Sequence, residues 1–128
     1  MSRLEKEIHT LLDNTFEIDE TGVTADVIFD TRFIGFSGHF PDTPVLPGVV
    51  MIQLMIMMCE RAVGQSLRLA DIREAKFTEP VLPEEKITVS LTPPEESNDG
   101  IRAKGLFHKQ EKVAARVSLL LETDQKRP

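Results

Sequence analysis

The chain contains no tryptophan, no tyrosine and one cysteine, Cys59, in 128 residues. A lone cysteine rules out an internal disulfide. It lies in the most apolar stretch, so it reads as a small buried hydrophobe in a reducing compartment. Positive charge is also scarce. Fifteen Lys and Arg stand against 21 Asp and Glu, for a formal net charge of −6. That balance argues against nucleic acid, which needs a basic face to neutralise phosphates. Long hydrophobic runs are missing too. The longest apolar stretch, Val49 to Cys59, is broken by Gln53 and falls short of the ~20 residues that span a bilayer. The N-terminal MSRLEKEIHTLL carries charges where a signal peptide needs an apolar centre. Together these absences predict a soluble, cytoplasmic protein with no membrane partner. No repeat, linker or composition shift divides the chain, so residues 1–128 read as a single domain.

The residues present predict the following elements. Ser2 and Glu5 have capping-box spacing, and Leu4, Ile8, Leu11 and Leu12 share a helical face. This predicts a helix over Ser2–Leu12, ended by Asp13-Asn14. Phe16 and Ile18, a turn at Glu20-Thr21-Gly22, and the alternating Val23, Ala25, Val27 and Phe29 predict a hairpin. Phe33, Ile34 and Phe36 lead into GHFPDTPVLPGVVMIQ, residues 38–53. Three prolines, Pro41, Pro44 and Pro47, stiffen that loop. Pro47 suits the first turn of a second helix running to about Val63, with Gly64 as its stop. This helix is apolar all round from Val49 to Cys59 except at Gln53, so it must be covered on most sides. The remainder reads as four strands. They are Ile72–Val81 with Phe77 inward, a strand with Ile87, Val89 and Leu91, one with Ile101, Ala103, Gly105 and Phe107, and one with Val113, Ala115, Val117, Leu119 and Leu121. PPEESNDG, residues 93–100, reads as a turn, and DQKRP as a solvated tail. Short connections favour antiparallel pairing, which predicts an α+β architecture of one curved sheet hiding one helix.

GHFPDTPVLPG resembles the active-site loop of the 3-hydroxyacyl-acyl-carrier-protein dehydratases of fatty acid synthesis. Their pattern His-Phe-Pro-x-x-Pro-x-x-Pro-Gly is met by His39, Phe40, Pro41, Pro44, Pro47 and Gly48. AKFTEPVLPEEKITV looks like the family's strand downstream of the helix, and the resemblance runs from about Phe16 to Glu122. It implies a hotdog fold and a dimer with two active sites at the subunit interface. It implies an acyl thioester substrate on an acyl carrier protein, in fatty acid or related acyl-chain biosynthesis. A homodimer is expected and a heterodimer is allowed. In the family the histidine faces a carboxylate on the partner's helix, fourteen residues after it in sequence. Here that position is Gln53.

The chemistry assigns roles to these residues. Dehydration needs a base for the C2 proton, and His39 suits it. It needs a donor for the thioester oxygen, and Gly48 at the helix start offers a backbone N–H aided by the helix dipole. It needs an acid for the leaving hydroxyl. Gln53 can hold that hydroxyl by a hydrogen bond but cannot deliver a proton. Phe40, Pro47 and Met57 are placed against the substrate. Glu60 and Asp42 are weak substitutes for the acid, Glu60 because it lies about 10 Å further along the helix.

Plainer readings stand beside each of these. His39 can cap loop backbone, Gln53 can be a satisfied buried amide, and Gly48 can serve helix entry alone. Met51, Met55, Met57 and Met58 can be core, with some lining an acyl tunnel. Arg61, Arg68, Arg73 and Lys76 read as a solvated face or a site for an acidic carrier protein. No group of residues has metal-ligand spacing, so neither metal nor cofactor is expected. A hotdog thioesterase, in which water attacks the carbonyl, and a non-catalytic acyl-binding or heterodimer subunit remain as alternatives.

Overall fold

The computed structural model describes residues 2–36 and 44–124. The first helix, α1, spans Arg3–Asp13. Both halves of its capping box form: Glu5 N–H donates to Ser2 Oγ at 3.1 Å and Ser2 N–H donates to Glu5 Oε1 at 3.2 Å. Its face of Ile8 and Leu12 is fully buried. A short strand, β1 at Glu17–Asp19, turns into β2 at Gly22–Ile28. A turn of 3-10 helix follows at Ile34–Phe36.

The central helix, α2, spans Gly48–Val63. Pro47 is its extended N-cap, and Gly64 ends it in the left-handed region at φ 71°, donating its N–H to Glu60 O at 2.8 Å. Glycine takes that conformation without the penalty a Cβ imposes. Five strands follow: β3 at Leu67–Phe77, β4 at Lys86–Leu91, β5 at Glu95–Ser97, β6 at Gly100–Lys109 and β7 at Lys112–Thr123. Every pairing is antiparallel and the sheet order is β1-β2-β4-β6-β7-β3, with β5 beside β6.

The sheet wraps α2, as the hotdog resemblance implies. Alternate residues of each strand point inward: Val23, Ala25 and Val27; Ile87, Val89 and Leu91; Ile101, Ala103 and Phe107; Ala115, Val117, Leu119 and Leu121 are all buried. They meet Leu54, Met55, Met57 and Met58 of α2, each no more than 1% exposed. Full burial of such a side chain contributes about 1.5–3 kcal/mol. The helix can lie this close because β6 carries no side chain at Gly105. A Cβ there would come 2.6 Å from Leu91 Cδ2 and 3.1 Å from Met55 Sδ.

Two expectations about strands are corrected. The strand expected over Ile72–Val81 instead runs Leu67–Phe77. It stops where β7 bulges. The β6–β7 register shifts between Phe107 and His108, and Ala114 drops out of the ladder. The Ala114 carbonyl then accepts the N–H groups of Thr78 at 2.8 Å and Glu79 at 3.2 Å, drawing the chain out of the sheet. Phe77 lies on the helix side of the sheet, paired with Ala115, with its ring against Gly48 at the start of α2, and it is 45% exposed. The second correction concerns residues 93–100. They form more than a turn, since Glu95–Ser97 pairs with Gly100–Arg102.

Three of the four cations singled out from the sequence have acidic partners. Arg61 reaches back to α1, donating to His9 O at 3.0 Å and Asp13 Oδ1 at 2.8 Å, with its guanidinium 5.6 Å from the Phe16 ring centroid. Arg68 pairs with Glu122 at 2.6 Å and Arg73 with Asp71 at 3.2 Å. No helix among the described residues is long and apolar enough to cross a membrane.

The close approach at Gly105 generates a prediction. Gly105→Val should destabilise the fold by about 1–3 kcal/mol, because overpacking forces Leu91 and Met55 off their positions. Denaturant unfolding of both proteins measures this, and an unchanged midpoint would show that α2 does not rest on β6 there.

Candidate functional site

The start of α2 is held in place from two directions. Leu46 N–H donates to Val81 O at 2.8 Å, tying the segment before the helix to the segment after β3. Pro47 O accepts from Val50 N–H at 3.0 Å and Met51 N–H at 3.4 Å, which starts the helix without a side-chain cap. The first N–H groups of a helix have no partner within it and carry the positive end of its dipole. Gly48 is therefore a backbone donor with nothing projecting from its Cα.

A groove of about 550 Å³ opens at this helix end. Leu46, Gly48, Met51, Phe77, Pro80 and Val81 supply most of its lining, and Thr78 and Glu79 are its polar members. The predominance of apolar groups suits an acyl chain or another apolar ligand. The Phe77 ring abuts Gly48, so a Cβ at that glycine would lie 2.7 Å from Phe77 Cζ. Phe77 in turn is held at the strand end by Thr78, whose Oγ1 donates to Val113 O at 2.8 Å.

The residues singled out from the sequence fall into three groups. His39, Phe40 and Asp42 lie outside the described residues. Pro47 and Gly48 line the groove. Gln53 sits half-buried on α2, about 7.5 Å along the axis from Gly48. Val49, one turn before it, is 72% exposed, and Ile52 is half-buried against the core. On β3, Leu69, Ile72 and Phe77 are between 39% and 45% exposed. Met57 is 1% exposed in the core, and Met51 is the methionine that reaches the groove. Glu60 is committed elsewhere, its Oε2 accepting Leu67 N–H at 2.9 Å. Burial pushes the Cys59 thiol up to about 12, with the neighbouring Glu60 charge adding to the rise. It holds no thiolate near neutral pH and is no nucleophile.

Phe77, Pro80 and Val81 were not recognised as groove residues from the sequence. The available signal was AKFTEPVLPEEKITV, whose likeness to a family strand placed it downstream of the helix but not against Gly48.

Comparison with known proteins gives a consistent result. A family model described as ApeI dehydratase, of the ApeI-like family, matches residues 15–117. The 3-hydroxyacyl-acyl-carrier-protein dehydratase FabZ of Fusobacterium nucleatum is 31% identical over 117 residues, covering 84% of this chain and 82% of that protein. FabZ of Agrobacterium fabrum is 29% identical over 125 residues, covering 89% and 75%. Among solved structures, the dehydratase heterocomplex ApeI:P from Xenorhabdus doucetiae matches with a TM-score of 0.72 at 19% identity, covering 82% of this chain and 90% of that one. A thioesterase from Thermus thermophilus, solved with coenzyme A and Zn, matches with a TM-score of 0.63 at 16% identity, covering 84% and 83%. At these identities the two structures establish the hotdog fold and nothing finer.

Proposed function

We propose, since the chain belongs to the ApeI-like dehydratase family, that it acts on 3-hydroxyacyl and enoyl thioesters carried by an acyl carrier protein. The observation that carries this reading is the apolar groove into which Gly48 opens the N-terminus of α2. It falls where the motif His39-Phe40-Pro41-x-x-Pro44-x-x-Pro47-Gly48 ends.

The reaction runs as follows on these residues. The His39 imidazole takes the C2 proton, and the electron pair moves onto the thioester oxygen. The Gly48 N–H stabilises that oxygen, where the helix dipole favours negative charge. The pair returns to form the C2–C3 double bond, and the C3 hydroxyl leaves as water with one further proton. Gln53 can donate a hydrogen bond to the hydroxyl but has no proton to give. The proton comes from the imidazolium of His39, from a water, or from a protonated carboxyl group on a partner chain.

A partner is part of the proposal. Val49 of α2 and Leu69 and Ile72 of β3 present exposed apolar surface. Covering it with a second chain buries that surface and closes the site, as in the family's shared-interface arrangement. A second copy is the first expectation. The solved ApeI:P neighbour is described as a heterocomplex, which supports a different partner as the second.

Three outcomes test this. Light scattering at micromolar concentration should report a dimer, and a monomer alone would remove the shared site. His39→Ala should abolish hydration of an enoyl thioester in a folded protein, whereas unchanged turnover would remove His39 as the base. Gln53→Glu should raise hydration by ~10-fold or more, since a general acid contributes about 10²–10⁴-fold. In the dehydration direction, measured on a 3-hydroxyacyl thioester, its activity should fall at high pH as the new carboxyl ionises, while the native dehydration rate rises with pH through deprotonation of His39. A folded Gln53→Glu protein with the native rate and profile would show that this position does not meet the leaving hydroxyl.

A further inference from the structure

Phe77 ends β3 with its ring 45% exposed, yet its backbone is pinned. Thr78 next to it donates its N–H to Ala114 O at 2.8 Å and its Oγ1 to Val113 O at 2.8 Å. The tip of the ring rests against Gly48. A Cβ built on that glycine would come 2.7 Å from Cζ and 2.9 Å from Cε2 of Phe77. The ring thus fills the volume that a side chain at position 48 would occupy. Its exposed part forms a wall of the groove, with Leu46, Met51 and Val81 as the other apolar walls.

We infer that Phe77 is a specificity-determining residue that rejects acyl thioesters branched at C2. This rests on the dehydratase reading, in which Gly48 N–H holds the thioester oxygen. An oxygen accepting that bond lies about 2.9 Å from the nitrogen. C2 of the acyl group is two bonds from the oxygen, and the Gly48 Cα is one bond from the nitrogen. Substituents on C2 and the tip of the ring therefore compete for one space. An unbranched C2 brings only hydrogens to the ring. A methyl branch brings a carbon to a place that ring carbons already hold. The far end of a long acyl chain lies beyond the reach of the ring, so Phe77 reads branching and not chain length.

The test compares, by calorimetry, equilibrium binding of unreactive acyl pantetheine analogues in which a methylene replaces the thioester sulfur, so that the carbonyl oxygen is kept. The probes are butanoyl, 2-methylbutanoyl and hexanoyl, and the proteins are the native chain, Phe77→Ala and Phe77→Leu. Native protein should bind butanoyl at least ~10-fold tighter than 2-methylbutanoyl, within the range of about 10–200-fold for one misplaced methylene-sized group. Phe77→Ala should close most of that gap and leave the hexanoyl-to-butanoyl ratio unchanged. Phe77→Leu keeps an apolar wall and should fall between, which preserves the test if the alanine variant does not fold. A purely structural role would lower the unfolding midpoint and leave the branching ratio intact. Equal native binding of the two butanoyl probes, or a gap that persists in both folded variants, overturns the inference. Hydration of an unbranched enoyl thioester by native protein is scored in parallel. Discrimination in binding without hydration keeps the role of Phe77 and overturns the dehydratase reading, and failure to bind any probe overturns both.

Discussion

Everything in this fold answers to the burial of α2. Its middle turns carry Leu54, Met55, Ile56, Met57, Met58 and Cys59 in succession, so no face of that segment suits water. A single flat layer cannot cover such a helix. A curved antiparallel sheet can, provided its inner face is smooth enough for the helix to approach. Gly105 under Met55 and small Ala103 and Ala115 supply that smoothness. The methionines then fill the uneven space between helix and strands, a use suited to their unbranched, pliable side chains. Arg61 closes the far end by clamping α1 across it, with two charge-assisted hydrogen bonds and the Phe16 ring.

The cover is incomplete. Val49 of α2 and Leu69 and Ile72 of β3 are exposed, while β3 pairs with β7 alone among the described strands. An edge strand with apolar residues is a template for association unless something covers it. Gly48 and Phe77 line the groove. On the proposed reading, a site assembled here depends on the partner that closes it, and its selectivity depends on the side chains fixed within the chain.

Much of this was legible in the sequence, and the part that was not has a definite cause. Strands β2, β4 and β6 alternate, so their inward residues could be named; in β7 the alternation holds from Ala115 onward, and the bulge at Ala114 puts Val113 out of phase. Capping residues marked both helices to within a residue or two. β3 was misplaced because its apolar residues are out of phase. The register shifts between Leu69 and Asp71 and between Ile72 and Glu74 each insert an extra residue. Leu67, Leu69, Ile72, Ala75 and Phe77 therefore share a side without a period of two. The Phe77–Gly48 contact was hidden for another reason. It joins the end of a bulged strand to the start of a helix, and no local pattern encodes a long-range contact. Gly48 could be read as a bare backbone donor, but the ring that shares its space could not be found without coordinates.

Gln53 has the size of the carboxylate it replaces and differs in charge and in proton content. On the proposed reading both differences matter. A carboxylate on the open face of α2 would have to be desolvated when the partner covers it, at a cost that needs a matching cation or a protonated form. An amide meets the same partner with a smaller penalty, and it can donate as well as accept hydrogen bonds. What it loses is the proton for the leaving hydroxyl. In a symmetric dimer both sites lack that proton source, so on this reading the proton for the hydroxyl comes from the imidazolium of His39 or from a water. In an asymmetric dimer the partner's carboxylate can face His39 of this chain, while Gln53 faces the partner's own site. One complete site and one altered site then share an interface, and the glutamine is a feature of the pair and not a defect of the chain.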